Sequence, residues 1–77
     1  MTLAEIKEAI LDHWRENYPQ TARAQNPEWL DRQAKARAEM SQAEMRPYLS
    51  QGMSSAAAWS EVAPSMLTRC PTKDQNK

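Results

Sequence analysis

Apolar residues recur at helical spacing from the start of the chain. Leu3, Ile6, Ile10 and Trp14 fall on one face of a helix, and Leu11 and Tyr18 widen that face. Thr2 and Glu5 stand at capping-box spacing, which satisfies two orphan amides reciprocally. Pro19 stops the pattern, so the first helix is predicted over 3–17. Its opposite face carries Glu5, Glu8, Asp12 and Glu16. Like charges four residues apart cost a helix a few tenths of a kcal/mol per pair, about 0.2–0.5. This row is therefore either an ordinary solvated face or an acidic docking stripe for a basic partner.

A polar connector, 19–25, leads to a second helix start at Asn26-Pro27-Glu28. Asn is a strong N-cap, Pro suits the first helical position, and Glu favours the positive end of the helix dipole. The pairs Glu28–Arg32, Asp31–Lys35 and Lys35–Glu39 are spaced to support the helix on its exposed side. It should run to about Met40 or Arg46, with a break at Ser41 if Ser41 and Glu44 act as another capping box. At about 100° per residue, Trp29, Ala36, Met40 and Ala43 form one apolar row and Leu30, Ala34, Ala38 and Met45 another, about 150° away. Two apolar rows call for two neighbours. One is the first helix; the other is the third helix or a second copy of the chain.

Pro47 either kinks this segment or opens a short helix to Gln51. Gly52, the only glycine, is placed to end it in the left-handed conformation. Met53 and Ser54 then read as the staple residue and N-cap of a last helix, whose packing face is Ala57, Ala58, Trp59 and Val62 and which Pro64 ends. From Thr68 to Lys77 there is almost nothing to bury. The reading is one small helical domain over 1–67, anchored at its end by Met66 and Leu67, followed by a disordered C-terminal tail over 68–77 with Cys70 an accessible thiol. The fold class is all-α: a small bundle of three main helices, or four with the break at Ser41.

Composition agrees. The chain has 77 residues, few of them β-branched, and is rich in Ala, Glu, Gln, Arg and Met, all good helix formers. Ten basic residues balance ten acidic ones, which speaks against a protein living on phosphate contacts. A single cysteine excludes a disulfide framework and any multi-cysteine zinc site. Glu5, Lys7 and Glu8 near the start argue against a signal peptide, and the longest apolar run, Ala56 to Trp59, is far short of a membrane span. A reduced, cytoplasmic protein without a membrane partner is the expectation.

Candidate chemistry is sparse. Nucleophilic catalysis needs a nucleophile, a base and an orienting group, but the chain has only His13 and Cys70 to offer, far apart in sequence. His13 has no His or Cys at metal-ligand spacing, and no glycine loop cradles a phosphate. No catalytic residue, metal or cofactor is expected. The segment 44–62 has the outline of a helix-turn-helix with Gly52 at the turn. Its would-be recognition helix, 55–63, lacks Lys, Arg, Asn and Gln and carries Glu61, so nucleic acid is not the expected partner. Trp14, Trp29 and Trp59, one per main helix, are read as core, with one of them free to anchor an interface. The sequence thus suggests a non-enzymatic protein-binding module, a regulator, adaptor or inhibitor of a larger protein. The alternative is a helix-turn-helix-like DNA-binding regulator. The candidate partner-binding residues are Glu5, Glu8, Asp12 and Glu16, with Trp29 and Met40 as a second face that also allows a homodimer.

Overall fold

The computed structural model describes residues 1–72. They form four helices, α1 (Leu3–Asn17), α2 (Pro19–Ala24), α3 (Pro27–Ser50) and α4 (Ser55–Met66), with no strand among the described residues. The all-α bundle of three main helices is borne out. The fourth helix is not a product of a break at Ser41; it is the short α2.

The predicted helix starts and the Gly52 turn hold. Thr2 Oγ1 accepts from the Glu5 amide at 3.2 Å while Glu5 accepts from the Thr2 amide at 2.7 Å, completing the capping box. Asn26 Oδ1 accepts from the amides of Glu28 and Trp29 with Pro27 at the first helical position, and Ser54 Oγ accepts from Ala57. At the end of α3 the Met53 amide donates to the Tyr48 carbonyl at 3.1 Å and the Gly52 amide to Leu49 at 3.0 Å. That pair of bonds reverses the chain and requires the φ of +91° seen at Gly52.

Three local expectations are corrected. Pro19–Gln25 is not a polar connector throughout: α2 forms there because Pro19 presets the first helical φ and Ala22 gains burial against the core. α3 continues through both Ser41 and Pro47. Ser41 is fully buried and gives its hydroxyl to the Arg37 carbonyl at 2.8 Å, one turn back, so it satisfies itself inside the helix instead of capping a new one. Pro47 lies on the solvent side, as does Ala43, whose carbonyl loses its i+4 donor; water can replace that donor, so the helix survives. Pro64 likewise sits exposed in the last turn of α4, which runs on to Met66.

α3 is the spine. α1 and α4 both pack on it, and its buried residues are Leu30, Ala34, Ala38, Ser41 and Met45. The two apolar rows of α3 therefore do not take one neighbour each. Both neighbours share the Leu30–Met45 row, because Ala34, Ala38 and Ser41 are small enough for two helices to approach the same strip. The rest of the core comes from Ile6, Ile10, Leu11 and Trp14 of α1, Ala22 of α2, Ala58, Val62 and Met66 of α4, and Cys70. Trp14 is fully buried; Trp29 and Trp59 are half-buried against this cluster. Asp31 does not pair along its own helix with Lys35 but across to Lys7 of α1 at 3.0 Å.

The expected tail begins too early. Leu67–Thr72 is a strap laid back across the bundle: the Thr68 carbonyl accepts from the Trp14 indole at 3.1 Å, and its hydroxyl accepts from Arg37 at 3.0 Å. Cys70 is 1% exposed, and burial raises its thiol pKa. The strap was invisible as periodicity because it packs through backbone and single side chains. The portion of the expected tail over 73–77 lies outside the described residues.

Two stability consequences follow. Gly52→Ala should destabilise the fold by about 1–2 kcal/mol, because a Cβ meets no neighbour there but the left-handed backbone disfavours any L side chain; urea unfolding measures it. Deleting 68–77 should cost roughly 2–3 kcal/mol from two lost hydrogen bonds and the lost Cys70 burial. In the full chain a thiol reagent should label Cys70 slowly under native conditions and rapidly in denaturant.

Candidate binding faces

α1 buries Ile6, Ile10, Leu11 and Trp14, so its helical periodicity turns Glu5, Glu8, Asp12 and Glu16 outward, and all four are exposed. They do not share one role. Glu5 closes the capping box, and the hydrogen bonds from Thr2 hold its carboxyl below the ordinary carboxylate range. Asp12 has Arg15 of its own helix at 3.8 Å, both well exposed, a pairing that contributes little. Glu8 and Glu16 enter no ion pair among the described residues. Among the described residues no basic group of another element is paired to this face: Arg37 is engaged by Thr68, and Lys7 of α1 goes to Asp31. Three carboxylates at four-residue spacing, Glu8, Asp12 and Glu16, thus make a negative ridge along the outside of the bundle.

The second candidate face lies on α3. Trp29 is half-buried, whereas Ala36, Met40, Ala43 and Pro47 are exposed, Met40 to 56%. Leu49, the other large exposed apolar residue, sits off this row near the Met1 end of the molecule. The two sets of candidate residues lie on different helices, α1 and α3.

Sequence reasoning missed a cleft. About 400 Å³ in volume, it opens where α1, α2 and the start of α3 meet, over Ala22 and Leu30, with Pro19 and Pro27 on its walls and Arg15 and Arg23 beside them. Only the recognition of α2 as a helix could have located it, since α2 supplies Pro19, Ala22 and Arg23. It holds cations and apolar surface but no carboxylate or histidine.

The chemistry-bearing residues remain separate in character. His13 is half-exposed on α1; Asn17 donates to its backbone carbonyl at 2.9 Å and lies 3.1 Å from its Nδ1, and Tyr18 meets the ring edge-on at 6.2 Å. Cys70, with its raised pKa, is held as the poorly nucleophilic thiol. No group of three His, Cys, Asp or Glu among the described residues is placed to hold a metal ion, and no described helix is long and apolar enough to cross a membrane. α4, the helix after the Gly52 turn, presents Glu61 and neither Lys nor Arg. In comparisons with known proteins, no family model, curated sequence or solved structure matches the chain.

Glu5 generates a pH prediction. Its folded pKa is below that of the unfolded chain, so the stability it contributes is complete above the ordinary carboxylate pKa and is lost as pH falls through the lowered value. Glu5→Gln keeps an acceptor for the Thr2 amide but cannot titrate. Its melting temperature should fall less between neutral and acid pH than that of the parent chain.

Proposed function

We propose that this chain is a non-enzymatic protein-binding module, a small cytoplasmic regulator or adaptor that docks the acidic ridge of α1 onto a basic surface of a larger protein. One observation carries the reading: Glu8, Asp12 and Glu16 stand exposed in a row, with no cation of another element paired to them among the described residues. The helix carries this repulsion although Gln at any of the positions would remove it at no cost in propensity. A basic partner would convert the repulsion into complementarity, speeding encounter and fixing orientation. Among the described residues no nucleophile and base converge, and the cleft that Arg15 and Arg23 line is a separate, basic feature beside α2.

The test is charge reversal. Glu8→Lys with Asp12→Lys should leave the melting temperature of the free protein unchanged or slightly raised. Used as bait in a pull-down from the native host, the variant should lose proteins that the parent chain retains at low salt and releases at high salt. A destabilisation of the free protein above about 1 kcal/mol would make the ridge an internal ion-pair face instead. Unchanged capture would leave it a solvated surface.

A further inference from the structure

The exposed row on α3 has an order that its burial pattern brings out. Trp29, Gln33, Ala36, Met40, Ala43 and Pro47 follow one another at alternating spacings of four and three, the seam of a coiled coil. Trp29, packed by part of its surface against the core, and Gln33 are half-buried, and the four that follow are exposed, so from Ala36 onward this seam runs down a side of α3 turned to solvent. Its large apolar groups are Trp29 at one end and Met40 past the middle, with the small Ala36 between them.

The charges beside the seam select an occupant. On one edge stand Arg32, Glu39 and Arg46, all exposed; on the other stand Arg37, half-buried, and Glu44, exposed. A parallel copy would set one edge against the other, bringing Arg32 to Arg37 and Glu39 to Glu44, like against like. An antiparallel copy sets each edge against itself. Where Trp29 of each chain packs on Met40 of the other, Gln33 meets Ala36 and Arg32 meets Glu39 twice, once on each side of the two-fold axis. Small Ala36 lets the backbones close in at the centre. The surface is self-complementary in that one orientation, as a two-fold interface requires.

We propose that the occupant of this face is a second copy of the same chain, paired antiparallel through α3 by reciprocal Trp29–Met40 packing and two Arg32–Glu39 ion pairs. The acidic ridge lies on α1, outside this seam, so the dimer would carry two ridges and engage a basic partner twice. Bivalence of that kind raises avidity without any new contact. The dimer itself does not depend on the docking role of the ridge.

Sedimentation equilibrium on the full chain, from micromolar to millimolar concentration, tests the proposal. The parent chain should dimerise reversibly. Met40→Glu, at an exposed position, should weaken the dimer roughly tenfold or more with an unchanged melting temperature. Arg32→Glu and Glu39→Arg should each weaken self-association, and the two variants mixed should form a heterodimer, since each then supplies the charge the other needs. A parent chain that stays monomeric to millimolar concentration overturns the proposal, and so does a dimer indifferent to Met40→Glu. A dimer strengthened by Arg32→Glu overturns it in favour of parallel pairing, where that change relieves a clash with Arg37. The variant with Glu8→Lys and Asp12→Lys should dimerise like the parent, so the failure of either reading is visible without the other.

Discussion

Everything in this bundle depends on a narrow strip of small side chains. Ala34, Ala38 and Ser41 sit fully buried on α3, between Leu30 at one end and Met45 at the other. A row of leucines there would hold neighbouring helices off and give each its own groove. Alanine and serine let α1 and α4 come to the same strip from two sides, so that Ile6, Ile10 and Trp14 reach Val62 and Met66 in one continuous core. The polar member of the strip adds no unpaired group, because the hydroxyl of Ser41 turns back to Arg37. With both neighbours on one side, the other side of α3 is exposed from Ala36 onward.

That asymmetry explains how a short chain presents two faces of different chemistry. α1 spends its apolar side on the spine and shows carboxylates outward. α3 spends one apolar row on the core and shows most of the second, Ala36, Met40 and Ala43, to solvent. A 77-residue chain has little interior to spare, and an apolar row of this length left uncovered is unusual for a monomer, whose exposed apolar patches are normally small. The cleft beside α2 is a by-product of the same economy: six residues of helix close the corner between α1 and α3 but do not fill it.

What the sequence revealed, and what it hid, divides along physical lines. Signals with local mechanisms were legible: Thr2 with Glu5, Asn26 with Pro27, Gly52, and Ser54 each act within four residues, and each acts as the spacing implies. Interruptions were over-read. Pro47 and Ser41 looked like breaks because their local preference opposes a helix interior, yet solvent exposure of the one and back-bonding of the other remove the penalty. The strap was missed for the opposite reason. Thr68 and Cys70 have no periodicity, and their value comes from Trp14 and Arg37, residues distant in sequence. The acidic row and the second apolar row were both visible in the sequence; what it could not supply was which row of α3 would be covered, since that depended on where α4 lands.

The strap and the first residue have a consequence for how the chain folds. α1 with α3, and α3 with α4, are helical hairpins whose contacts lie close in sequence. Two bonds reach much farther: the amine of Met1 to Ser55, and the Trp14 indole to Thr68, each spanning 54 residues. They join the outer helix of one hairpin to the outer helix of the other, or to the segment that follows it. Together with the core that α1 and α4 share, these ties mean that loosening either hairpin also breaks contacts of the other, so the bundle is built to unfold as one cooperative unit.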